Sequence, residues 1–146
     1  MNPDSLFSIA NALAASAWLV LALAPGRWSL PRLAAGGAAL ALAMLYAALL
    51  AAFWSAGDGD FSSLAGVASL FEQRGLLLAG WVHYLAFDLL VGLWEREEAA
   101  RIGLSRWLLL PCLFLTFMFG PLGWLLFMAM RYYRLRSAHA DSRAAA

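Results

Sequence analysis

The chain reads as an all-α integral membrane protein: a bundle of four transmembrane helices with a short amphipathic helix at the interface between spans two and three. Three observations predict this. The 146 residues are 64% hydrophobic and 13% charged, whereas soluble domains average about 45–50% apolar and 25% charged. Four apolar stretches lie near the roughly 20 residues that cross a hydrocarbon core at about 1.5 Å per residue. Trp28, Trp54, Trp94, Trp107, Tyr132 and Tyr133 fall at or near the ends of those stretches, as the amphipathic rings of an aromatic belt do.

The first span covers Leu6 to Leu23, with Asp4 and Ser5 as capping groups and Pro25-Gly26 as its stop. No arginine precedes Leu6, so the segment lacks the basic region of a cleavable signal and is expected to remain in place. The connector Ala24 to Arg32 is tight, which makes spans one and two antiparallel neighbours. Span two, Leu33 to Trp54, is rich in small residues (Ala34, Ala35, Gly36, Gly37, Ala38, Ala39, Ala41), and these favour close helix packing.

In the second connector, Phe61, Leu64, Ala68 and Phe71 recur at helical spacing, with Ser62, Ser63 and Ser69 off that face. This predicts the amphipathic interfacial helix, capped by Asp60 or Ser62 and followed by Gly75. Asp58 and Asp60 lack the other ligands of a calcium loop and read as turn and cap residues.

Span three is Leu76 to Trp94. The charged connector Glu95 to Arg106 reads as a solvated helix extension with a turn at Gly103. Span four, Trp107 to Met130, contains Pro111 and Gly120-Pro121, which predict a kink and a pocket at mid-membrane depth. One domain, 1–136, thus precedes a disordered tail, 137–146.

Charge and cysteine content exclude several classes. Ten arginines and no lysines stand against nine acids, for a net charge of +1. That gives no broad basic surface for a nucleic-acid backbone. Cys112 is the sole cysteine, so neither an intrachain disulfide nor a thiolate metal cluster can form, and it reads as packing. With four spans the arginines divide five and five between the two faces, and the positive-inside rule gives a tie. The Ala-rich, lysine-free composition suggests a bacterial protein of the inner membrane.

The chemistry concentrates in span three, where His83 and Asp88 sit inside an apolar run. Ionisable groups at that depth cost on the order of 2.5–3.5 kcal/mol each by insertion scales, so they need a partner, a cavity or a task. At about 100° per residue, Trp81, Tyr84 and Asp88 share a face within about 60°, while His83 lies about 140° from Asp88. A metal shared by His83 and Asp88 is disfavoured, and Tyr84 can hydrogen-bond Asp88. Three readings stand: polar glue between helices through Asn11, Ser16, Tyr46 or Thr116; acid/base catalysis by a desolvated Asp88 with His83; and a proton relay in a small transporter subunit.

The run Trp81-Val82-His83-Tyr84-Leu85-Ala86-Phe87-Asp88-Leu89 is preceded by Phe61-Ser62-Ser63-Leu64-Ala65-Gly66-Val67 with Leu70-Phe71. It is followed by Cys112-Leu113 and Gly120-Pro121-Leu122-Gly123. Together these resemble the ABA4-like family, named for the plant abscisic-acid-deficient-four protein, a chloroplast membrane protein needed to make neoxanthin from violaxanthin. The resemblance implies a multi-pass protein of carotenoid or isoprenoid metabolism.

The expected function is acid/base isomerisation, or an epoxide-to-allene type conversion, of a carotenoid-like lipid held between spans three and four. Asp88, His83 and Tyr84 are the candidate catalytic residues, and Trp81, Asn11, Phe117 and Trp124 the candidate binding residues. The alternative is a non-catalytic pigment-binding or complex-stabilising protein. No cofactor or metal is expected. The expected partners are the lipid bilayer, a polyene lipid, and a second copy or a partner enzyme.

Overall fold

The computed structural model describes residues 2–25 and 29–144. Trp28, assigned to the aromatic belt, and Gly26 and Arg27 lie outside the described residues. All regular structure among the described residues is helical.

α1 (Pro3–Leu23) is capped by Asn2, whose Oδ1 accepts the Asp4 amide at 3.1 Å. Asp4 and Ser5 therefore sit inside the first turn, behind a proline whose fixed φ suits that position. α2 (Leu30–Phe53) runs back and ends in a single 3-10 turn, Trp54–Ala56. Of its small residues Ala35, Ala38 and Ala39 are buried in the packed face, whereas nothing lies within 4 Å of a Cβ built on Gly36 or Gly37.

The amphipathic helix is α3 (Leu64–Glu72). Its N-cap is Ser63, whose hydroxyl accepts the Gly66 amide at 3.0 Å, and Asp60 instead accepts from Ser62 at 2.8 and 2.7 Å. Those two bonds lower the pKa of the Asp60 carboxyl. Leu70 packs inward and Leu64 and Ala68 are exposed, while Phe61 and Phe71, exposed on one side, lie against Trp54 and Gly80 on the other. The apolar stripe is thus shared between the bundle and the surroundings, as in a helix folded back over the bundle at an interface.

α4 (Arg74–Ile102) follows after Gln73, which caps it through a 2.8 Å bond to the Leu76 amide. Gly75 lies in its first turn against Phe53 rather than after α3. α4 continues eight residues past Trp94 and is the element against which α1, α2, α3, α5 and α6 all pack. It stops at Gly103, whose φ of 66° makes the left-handed cap that glycine accepts without strain.

The fourth expected span is not a single helix. Gly120, at φ 46°, divides it into α5 (Arg106–Phe119) and α6 (Pro121–Ala144). The chain then doubles back: Cys112 Sγ meets Met130 Sδ at 3.6 Å, a pair that a continuous helix would hold about 27 Å apart. A Cβ on Gly123 would collide with Thr116 and the Cys112 carbonyl, so that glycine lets the arms touch. Pro121 suits the reversal because it opens α6 and has no amide hydrogen to leave unpaired. α6 extends over residues 137–144, which the sequence assigns to a tail.

The expected four-helix bundle is therefore replaced by three helices long and apolar enough to cross a membrane, α1, α2 and α4, and a helical hairpin. The hairpin starts and finishes at the end where α4 finishes, since Arg131 of α6 pairs with Glu98 of α4 at 2.5 Å. Its tip lies beside Asp88, fourteen residues and about 21 Å from Arg74 along α4. The opposite end is tied by Arg74 and Asp4 at 2.5 Å.

This geometry breaks the arginine tie. Arg32, Arg96, Arg101, Arg106, Arg131, Arg134 and Arg136 gather at the Ile102 end of α4, against Arg74 alone at the other end among the described residues. If α1, α2 and α4 are the crossings, the termini fall on opposite faces, and the positive-inside rule then predicts the arginine end on the cytoplasmic side. Reporter fusions at each terminus are expected to show the N-terminus outside and the C-terminus inside. Termini on one side would contradict the hairpin.

Candidate functional site

The site forms where the hairpin tip meets the middle of α4. Helical periodicity sets Trp81, Tyr84 and Asp88 along one side of α4, which α1 and α5 flank. Trp81 Nε1 donates to Asn11 Oδ1 of α1 at 3.2 Å. The Trp81 ring also lies 5.7 Å from that of Phe7 and 5.6 Å from that of Tyr84. Tyr84 donates to the Met118 carbonyl at 3.4 Å, and its hydroxyl also interacts with the Asp88 carboxyl one turn along α4, as the i, i+4 spacing predicts. Phe117, one residue earlier, packs edge-on against Trp18 of α1 at 5.6 Å.

Asp88 is the polar centre of this group. A Cβ on Gly120 would lie 2.8 Å from Asp88 Oδ1, so the reversal brings backbone directly against the carboxyl. Its Oδ2 is buried and meets no close hydrogen-bond partner among the described residues. Buried polar atoms are nearly always satisfied, and an exception invites a functional explanation.

Two expected site residues stand apart. His83 is exposed on another side of α4, its ring 5.4 Å from Tyr46 of α2 and 4.6 Å from Phe87. It lines a groove of about 410 Å³ with Tyr46, Trp54, Phe61 and Phe71. At Gly120-Pro121, where the sequence predicts a kink with a pocket, the chain makes a full reversal packed onto Asp88. Trp124 is partly exposed on α6 and joins none of the ring contacts of the Asp88 group.

Glu95 was assigned to solvent with the rest of its charged run, yet it is fully buried. Both its carboxyl oxygens lie within reach of the Thr116 hydroxyl, at 2.9 and 3.1 Å, and no cation pairs with it among the described residues. Glu98 is also buried, paired with Arg101 at 2.6 Å and Arg131 at 2.5 Å. One signal for Glu95 was present: it follows Asp88 by seven residues, which returns to the same helix face within about 20°. The two carboxyls thus face two residues one turn apart on α5, Gly120 and Thr116. Of the polar-glue partners expected for His83 and Asp88, Thr116 bonds Glu95, Asn11 bonds Trp81, and Ser16 donates to its own Ala12 carbonyl.

The arrangement can hold or pass a proton at Asp88, with Tyr84 adjacent, in a site walled by aromatic rings. Among known families, the model of the ABA4-like family, described as ABA DEFICIENT 4-like, matches residues 5–127. No curated protein and no solved structure matches the chain.

The Glu95–Thr116 contact has a measurable consequence. Glu95→Gln keeps a hydrogen-bonding group of the same shape, and its cost in thermal unfolding of the detergent-solubilised protein is expected to stay within about 1 kcal/mol. Glu95→Ala leaves a cavity and a buried unpaired hydroxyl, for a loss of about 2–4 kcal/mol. Equal damage from both would mean that the charge itself is needed.

Proposed function

The chain belongs to the ABA4-like family, and from that premise we propose that it performs a proton-neutral isomerisation of a carotenoid-like polyene lipid at Asp88. The observation that carries this reading is the Asp88 carboxyl, whose buried Oδ2 meets no close hydrogen-bond partner among the described residues and whose nearest proton-bearing neighbour on α4 is the Tyr84 hydroxyl. In such a reaction an acid gives a proton to an epoxide oxygen or a polyene carbon, and a nearby C–H bond returns one. Protonated Asp88 supplies the first proton through Tyr84, and the resulting carboxylate accepts the second, so one dyad serves both steps. Trp81 and Phe117 offer flat apolar faces for a conjugated chain, and Asn11 holds Trp81 in place.

His83 is not the base in this scheme. It lies on another side of α4 from Asp88, against Tyr46 and Phe87, so it does not face the same reacting atoms. The alanine-rich, lysine-free composition supports a bacterial cytoplasmic membrane as the location. A second reading, pigment binding without turnover, draws on the aromatic groove that His83 lines.

Expression in a carotenoid-producing host, followed by pigment analysis, separates the two readings. Wild type and His83→Gln are expected to yield an altered pigment. Asp88→Asn is expected to abolish the change while still co-purifying with unaltered pigment, and Tyr84→Phe to slow it by roughly 10²-fold or more, the scale of one lost proton-transfer group. Bound but unchanged pigment in every variant supports the binding reading, and full conversion by Asp88→Asn eliminates the catalytic one.

A further inference from the structure

Beside the start of α2, a cavity of about 540 Å³ opens against the last turns of α4 and the first of α5. Its walls are of two kinds. Leu93, Leu104 and Leu109 form an apolar side, while Arg32, Arg96 and Arg106 stand with one acid among the described residues, Glu97, on the polar side. Two positive charges are left over.

Existing contacts hold these guanidinium groups in place without using them up. Arg96 donates to the Leu21 carbonyl, and to that of Ala24 at 2.6 Å; one nitrogen of Arg106 donates to the Ala22 and Leu23 carbonyls, each at 2.6 Å. Both therefore cap the orphan carbonyls at the end of α1, where cations are favoured. Arg32 gives its Nε to Glu97 at 2.9 Å. Both terminal nitrogens of Arg32, and Nε with one terminal nitrogen of Arg106, make no hydrogen bond among the described residues. Ser29, at the N-cap of α2, lines the same cavity and makes no side-chain capping bond, so the positive end of that helix also faces the space.

We propose that this cavity binds the phosphate of an anionic phospholipid, with an acyl chain lying along Leu93, Leu104 and Leu109. Free guanidinium nitrogens beside a helix N-terminus suit phosphate oxygens, which accept charge-assisted bonds from arginine in a fork geometry. The leucine wall favours a lipid over a free anion, because three apolar side chains add nothing to the binding of phosphate alone. The excess positive charge selects against a zwitterionic headgroup, whose own cation would enter the same field. Location agrees: the cavity lies at the arginine-rich end, where anionic lipid of the cytoplasmic leaflet is concentrated.

Native mass spectrometry of the full chain released from detergent tests this, with phosphatidylglycerol, phosphatidylcholine and inorganic phosphate as probes. Phosphatidylglycerol adducts are expected to survive at least tenfold better than phosphatidylcholine adducts. Arg32→Gln, which touches no α1 carbonyl, is expected to lower phosphatidylglycerol retention roughly tenfold, the worth of one charge-assisted bond, with the melting temperature unchanged. Arg136→Gln, at the same end but outside the cavity, is expected to have no effect. Equal retention of the two lipids, an equal loss with Arg136→Gln, or displacement of phosphatidylglycerol by inorganic phosphate would overturn the proposal. Should Arg106→Gln unfold α1, Arg32→Gln still decides.

Discussion

The reversal at Gly120, held against α4, is the constraint on which the rest of the molecule depends. A polar backbone turn among apolar segments is tolerable only where protein covers it, and α4 supplies that cover. Glu95 bonds Thr116 within the final turn of α5, and Gly120 sits one turn further on, against Asp88. Gly123 lets the returning arm lie on Thr116 and Cys112. Removing any one of these contacts would leave a buried polar group without a partner or an arm without a seat.

Much of this was legible before the structure, and the limits have physical causes. Helical periodicity separated His83 from Asp88 and grouped Trp81, Tyr84 and Asp88, because side-chain direction on a regular helix follows from residue spacing alone. The segments that became α1, α2 and α3 were visible for a similar reason: each has an apolar run or stripe bounded by residues that stop helices. The hairpin was not visible. Trp107 to Met130 is long enough for one full crossing, and two half-length arms have the same composition as one long span. Gly120-Pro121 marked the place, but a glycine-proline pair signals a kink as readily as a reversal; the positive φ that distinguishes them is a property of the folded chain.

Glu95 was missed through a different route. Its neighbours Arg96, Glu97 and Glu98 make the local sequence look solvated, and solvation is a fair inference for a charge run. The run is in fact divided by helix geometry: Glu95 and Glu98 turn inward, while Glu97 meets Arg32 at the surface. Charge density along a sequence says little about which face each charge occupies. The seven-residue spacing from Asp88 carried that information, and it gains meaning only once a partner helix is known to lie along that face.

The hairpin also explains why the two carboxyls can have different tasks. Both Asp88 and Glu95 face α5, but Glu95 meets a hydroxyl and Asp88 meets a glycine that offers no side chain. Glu95 fixes the arm, whereas Asp88, whose Oδ2 meets no close partner among the described residues, lies at the tip, where the arms end and the aromatic rings of Trp81 and Tyr84 begin. An intramembrane acid is useful chemically only if it is near enough to the apolar phase to meet a lipid, yet shielded enough to keep its proton from water. A hairpin that stops near the middle of α4 leaves Asp88 half-buried beside its tip, the setting that the proposed reaction needs. A full fourth span in its place would run past Asp88 and close the side of α4 on which Tyr84 and Trp81 stand.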